Sequence, residues 1–263
     1  MDETQGLTPS DSHGLIERDY RKQPVGSVFE DRPGWTLPGE PIPRQQWPEL
    51  ISKHKIRRTS PYEHHRYHKI PVLDQGTLKY CWAYSVVAGV MNRLAFQGID
   101  PVPHLSATAV AAVGMNFQNR GGHCSQAVAM IQEQGGIPTI NAWPNRSMDR
   151  TLENDESVAK ERDLNQLCTF TDCGNDLDMA ISLMLCDEPA PVTFSVPWWR
   201  HAILGLEVVD RGNAPADSLD RYGITFVNSY GPSWKKTGFG CFYGQKLQAW
   251  EYVAVHAAGA RKE

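Results

Sequence analysis

Residues 75 to 85 read Gln-Gly-Thr-Leu-Lys-Tyr-Cys-Trp-Ala-Tyr-Ser, which sets a cysteine six residues after a glutamine and at the head of an apolar run. From Cys81 the chain continues WAYSVVAGVMNRLAFQG. Trp82, Ala83, Val86, Val87, Val90, Met91 and Leu94 spread around most of a helical circumference, so the spacing predicts a buried helix ending near Gly98. The thiol then sits at a helix N-terminus, where the macrodipole and unpaired backbone N–H groups favour thiolate. A lone cysteine opening a buried helix is more often a core residue than a nucleophile. Here the decision rests on partners further along the chain.

Gln75-Gly76 and Cys81-Trp82-Ala83-Tyr84-Ser85 resemble the nucleophile segment of the papain family of cysteine peptidases. Further matches follow in the family's order. His201-Ala202 leads the apolar run AILGLEVV, and Asn228-Ser229-Tyr230-Gly231 is followed by Trp234 and Gly238. Leu105-Ser106 stands before an Ala/Val helix, and Gly121-Gly122 before AVAMIQEQGG. The matches cover roughly residues 62 to 257.

The resemblance implies a thiol-dependent peptide-bond hydrolase with no cofactor and no metal. Cys81 would be the nucleophile, His201 its proton partner, and Asn228 the group that holds the imidazole tautomer. Gln75 and the Cys81 backbone N–H would receive the oxyanion. Tyr230 stands where the family has a tryptophan shielding the histidine–asparagine bond, with Trp234 beyond it. Gly122, next to Gly121, would pair with the backbone of an extended peptide substrate. Cys124 would line the main specificity pocket and suit a hydrophobic side chain. The same triad also serves an acyl transferase, since an amine can capture a thioester. A vestigial site in a structural component of a large assembly, such as a virus particle, is a further alternative.

Three departures from the family pattern carry expectations of their own. Leu78 and Asn119 occupy the positions of a family disulfide, so both halves are missing together. The six cysteines show no framework spacing, and the N-terminus lacks a signal-peptide pattern, which together point to a reducing, intracellular setting and free thiols. Lys79-Tyr80 replaces a small pair before the nucleophile and is expected to crowd the mouth of the cleft. Only Pro197, Trp198, Trp199 and Arg200 separate the preceding strand from His201, so the cleft is expected to be open on that side, with the two tryptophans either at its surface or in the core.

The expected architecture is α+β in two parts. Helices fall at 81–97, 106–117 and 124–134, and a helix at 175–186 leads into apolar, β-branched strands near 190–196, 202–210, 222–228, 238–243 and 250–257. The strands suit an antiparallel, barrel-like sheet. The polar stretch SMDRTLENDESVAKERDLNQ reads as a solvated loop, and residues before the nucleophile segment as an irregular strand. With 26 basic and 30 acidic residues and a net charge of −4, the chain offers no field for nucleic acid, and no apolar run is long enough for a membrane span.

Residues 1 to 61 form a proline-rich unit ahead of a catalytic domain at 62 to 263, with one helical candidate around PELISKHK. This unit is either a short pro-segment along the chain's own cleft or an arm docking on a partner subunit, the latter being the preferred expectation. Glu63, His64, His65 and His68 resemble a metal cluster by composition only. Asn145-Arg146-Ser147 fits the glycosylation sequon, which matters only for a secreted chain.

Overall fold

The computed structural model describes residues 14–25, 39–164 and 168–258. Pro9, Pro33 and Pro38 of the arm and the side chain of Cys168 lie outside this set. Helices α1 (Trp47–Arg57) and α2 (Pro61–Tyr67) precede the nucleophile helix α3 (Cys81–Phe96). Helices α4 (Ala107–Gly114), α5 (Cys124–Glu133) and α6 (Glu156–Leu164) complete the helical half. Strands β1 (Cys168–Gly174), β2 (Val192–Val196), β3 (His201–Asp210), β4 (Tyr222–Val227), β5 (Phe239–Tyr243) and β6 (Tyr252–Ala258) form the other half, with α7 (Leu177–Leu185) inserted after β1.

Helix α3 is buried along its length except at Leu94 and Phe96. Gly89, at its middle, faces the sheet, and a Cβ there would stand 2.8 Å from Val255 Cγ2 and 3.3 Å from Leu204 Cδ1. The missing side chain lets β3 and β6 press onto the helix, which sets the depth of the cleft between the two halves. Ser106 and His123 cap α4 and α5 by accepting from the N–H groups of Ala109 and Gln126.

The sheet is antiparallel throughout, in the order β1-β6-β2-β3-β4-β5. It does not close into the barrel expected from the sequence. Side-chain alternation gives the reason. Ala202, Leu204, Leu206, Val253 and Val255 face α3, while Val192, Phe194, Ile203, Tyr252 and Ala254 face a second cluster with α7 and α1. With helices covering both faces, the sheet has no empty interior to fill by curling. Trp47 of α1 is fully buried in this second cluster, edge-on to Tyr222 at 5.0 Å.

Three local readings change. The segment before the nucleophile is helix α2, capped by Ser60 and started by Pro61, with His65 buried edge-on to Phe239 at 5.3 Å. His64 and His68 stack on each other one turn apart. The polar stretch folds as a 3-10 turn and α6. Asp149 accepts from Thr151 N at 2.9 Å and Asp155 from Ser157 N at 2.8 Å, so local caps do what an apolar face normally does. Strand β1 was not legible, because the inward residue at its centre is the fully buried Asp172.

Candidate active site

Cys81 is the first residue of α3 and its side chain is fully buried. Burial pushes the thiol up to about 11, although N–H groups of Ala202, Gly14 and Trp82 directed at it pull the other way. The helix N-terminus alone would favour thiolate. Desolvation outweighs it here, and part of that desolvation comes from the chain's own arm, whose Gly14 N–H lies on the sulfur.

His201 opens β3, paired with Val196 across the hairpin, and the N–H of the next residue, Ala202, donates to the Cys81 thiol. The sheet thereby brings the histidine segment against the start of α3. His201 Nε2 lies 2.7 Å from Asn228 Oδ1. The same oxygen accepts from Ser229 N at 2.8 Å, which identifies it as the carbonyl end of the amide. Nε2 must therefore carry the proton, and in the neutral ring Nδ1 is the basic nitrogen. Tyr230 packs on the imidazole at 4.7 Å, its hydroxyl 3.5 Å from Nδ1, and Trp199 packs on the ring at the same centroid distance. Trp234 stands one layer out, stacked on Trp199 at 6.0 Å. Trp199 is thus buried in the site while Trp198 stays partly exposed.

Gln75 is buried and pinned at three points. Its backbone N–H donates to Ser229 O at 2.9 Å, its Oε1 accepts from Ser229 Oγ, and its Nε2 donates to Leu78 O at 2.6 Å. An amide nitrogen has two hydrogens, so one N–H is left over after the Leu78 contact. Ser229 was quoted in the motif but given no role. The structure makes it the residue that fixes which way the Gln75 amide points.

Lys79-Tyr80 does not crowd the mouth as expected. Tyr80 is fully buried in the helical half, its hydroxyl donating to Gln118 O at 3.0 Å. Asn119 Oδ1 accepts from Lys79 N at 2.6 Å, and Asn119 Nδ2 donates to Thr77 O at 3.4 Å. Where the family has a disulfide, this chain ties the same two segments with an amide. The described cysteines, Cys81, Cys124, Cys173, Cys186 and Cys241, are all free.

Residues 14–25 of the arm pack into the cleft of the same chain. Leu15 forms a parallel bridge with Gly122: Gly122 N donates to Gly14 O at 2.8 Å and Ile16 N to Gly122 O at 2.9 Å. Close approach requires the glycines, since a Cβ on Gly121 would lie 2.3 Å from Gly14 O. Beyond the bridge, Arg18 is buried between Asp172 and Glu251. Glu251 also accepts from Cys124 N at 2.8 Å. The surroundings of Cys124 therefore include a carboxylate, which the expectation of an apolar pocket did not foresee. No feature of the sequence around Glu251 or Arg18 marks either as part of a site.

Known proteins resemble this chain over most of these elements. Cysteine protease 1 of Oryza sativa subsp. japonica is 23% identical over 186 residues, covering 64% of this chain and 37% of its own length. Oryzain beta chain of the same plant is 24% identical over 185 residues, covering 64% and 38%. The chain is thus similar to cysteine proteases over 64% of its length. It spans under two fifths of the length of these curated relatives. Among solved structures, procathepsin L 3 of Tenebrio molitor larval midgut has a TM-score of 0.54 at 16% identity, covering 71% of this chain and 66% of that one. The proform of the ragweed pollen allergen Amb a 11, a cysteine protease, reaches 0.56 at 14% identity, covering 80% and 75%. These likenesses show the papain-like fold. No family model matches the sequence. Among the described residues no helix is long and apolar enough to cross a membrane.

Proposed function

We propose that the chain is a papain-like cysteine peptidase, held latent by its own N-terminal arm. The observation that carries the proposal is the His201 Nε2–Asn228 Oδ1 hydrogen bond beside a helix-opening cysteine whose sulfur accepts the Ala202 N–H. That geometry leaves Nδ1 as the nitrogen for the thiol proton. With the arm withdrawn, water reaches Cys81 and its proton passes to His201 Nδ1. The thiolate attacks the scissile carbonyl. The remaining Gln75 N–H and the Cys81 backbone N–H receive the oxyanion, each such donor being worth roughly 3 to 4 kcal/mol. His201 then protonates the leaving amine, and a water delivering its proton to Nδ1 cleaves the thioester.

Two facts support latency. The arm lies on the nucleophile, with the Gly14 main chain hydrogen-bonded to the Cys81 sulfur. The arm also occupies Gly122, the backbone position proposed for a substrate strand. On this reading residues 1 to 61 are a pro-segment of which 14–25 plug the cleft, and a peptide or unfolded protein is the substrate. Alkylation with iodoacetamide, followed by intact mass, tests the nucleophile: Cys81 should label first once the arm is displaced, and Cys81→Ala should abolish hydrolysis of fluorescently labelled casein. An arm-displaced, folded chain that hydrolyses no unfolded protein overturns the proposal.

A further inference from the structure

Strand β3 outruns one of its two neighbours. On one side β4 pairs with it as far as Asp210, opposite Tyr222. On the other side β2 reaches only to Val192, opposite Gly205. The reason lies in the residues before β2: Pro189 and Pro191 carry no N–H with which to extend a ladder. Ala190, between them, donates instead to Leu183 O at 3.0 Å, which turns the chain back to α7. Residues 206–210 therefore keep one edge that no strand covers among the described residues. Alternate residues of an extended strand direct their N–H and C=O groups to such an edge.

A groove of about 430 Å³ runs along it, a volume in the range of ligand sites. Glu207, Val208, Val209 and Asp210 line the groove in unbroken succession. A pocket on the face of a strand would take every second residue, so the consecutive run puts the edge itself, backbone included, into the wall. Helix α1 forms the opposite wall through Ile51 and Lys55, and Met184 and Leu185 at the end of α7 add an apolar side. With α1 standing beside the edge, the opening suits a lone extended segment rather than the edge of a second sheet. At about 3.4 Å per residue, Val208 is roughly 20 Å along β3 from His201, well away from the cleft. The charges also favour one kind of segment. Lys55 and Arg211 are exposed at the rim and form no ion pair among the described residues. The acids are already engaged. Asp210 accepts from Arg221 Nε at 2.7 Å and Nη2 at 2.8 Å. Glu207 accepts from Ser60 Oγ at 3.3 Å, and burial pushes its carboxyl up, which lessens the negative charge it presents.

We propose that the β3 edge beside α1 is a second peptide-binding site, which takes an extended acidic segment as an added strand, with aliphatic side chains at alternate positions toward Ile51, Met184 and Leu185. This site does not depend on the chemistry of Cys81. Full-length chain carrying Cys81→Ala, which removes hydrolysis as a source of signal, is titrated into a fluorescein-labelled heptapeptide of alternating valine and glutamate, and anisotropy is read. Binding should saturate. Lys55→Glu, an exposed substitution, should weaken it at least tenfold, and so should lysine in place of glutamate in the peptide. Two further peptides are N-methylated, one at its valines and one at its glutamates. Because a strand pairs through every second residue, one of them should bind like the parent peptide and the other at least tenfold more weakly. Absence of saturation, indifference to Lys55→Glu, or equal behaviour of the two methylated peptides overturns the proposal. Dimers of the peptide-free chain in sedimentation that the peptide dissociates would give the edge to a second copy and overturn it too.

Discussion

Gly14→Ala should unlatch the cleft. A Cβ at residue 14 would lie 1.8 Å from Lys79 O, 2.3 Å from Lys79 C and 2.6 Å from Lys79 Cα. Those are backbone atoms of the segment that Asn119 ties and that leads directly into α3, so no rotamer change relieves the clash. The arm must leave its register instead. It then loses two backbone hydrogen bonds to Gly122, at about 1 kcal/mol each, and the burial of Leu15, about 2 kcal/mol. A loss of roughly 4 kcal/mol allows up to about a thousandfold more of the open state, at 1.4 kcal/mol per tenfold. Rehydration also brings the thiol down from about 11. Because the closed form prefers the protonated thiol, the contribution of Cys81 to closure is complete below about pH 9 and drains away as pH climbs to 11, at most about 3 kcal/mol. The assay is the second-order rate of Cys81 alkylation by iodoacetamide, read by intact mass across pH. The variant should label at least a hundredfold faster near neutral pH, with its pH midpoint lowered by a unit or more. A folded variant whose rate and midpoint match the parent chain refutes the role given to the arm.

Ser229→Ala removes the donor that orients Gln75, and should lower kcat of the arm-displaced enzyme roughly 10- to 100-fold with little change in KM or melting temperature. Asn119→Ala leaves the Lys79 N–H without its acceptor and should cost about 1 to 2 kcal/mol in urea titration, with Cys81 labelling accelerated because the wall behind Gly14 loosens. His65 is pushed down to about 4 by burial, so the unfolded chain takes up a proton below about pH 6.5 that the folded chain refuses. Its stabilising contribution is present above pH 6.5 and is lost as pH falls through 4. His65→Phe should therefore move the acid-unfolding midpoint downward when followed by circular dichroism, and an unchanged midpoint counts against the burial argument.

The nucleophile helix was readable because burial on all sides leaves a continuous apolar run, and the strands from β2 to β6 because their β-branched alternation is strong. The Gln75, Cys81, His201 and Asn228 positions were readable only through local motifs, since no periodicity connects residues so far apart in sequence. What escaped was built from polar residues. Strand β1 hides its inward face behind Asp172, α6 is held by Asp caps, and the fate of the arm depends on Gly14, Leu15 and Arg18 meeting partners more than sixty residues away. A carboxylate in a strand reads as solvent-facing until its cation is found. The cation here sits in a proline-rich segment whose one helical candidate lay elsewhere, around PELISKHK.

The two attachments of the arm differ in chemistry, and that difference orders its release. At Gly14 and Leu15 the arm is held by backbone pairing, apolar contact and a neutral thiol, so it responds to alkaline pH and to any ligand competing for Gly122. At Arg18 it is held by a desolvated ion pair that salt screens little. A peptide strand competing for Gly122 should therefore displace residues 14–16 while Arg18 stays seated. Short peptides should then react with the full chain through partial opening. High salt should leave this ordering in place, because the pocket that enforces it excludes solvent.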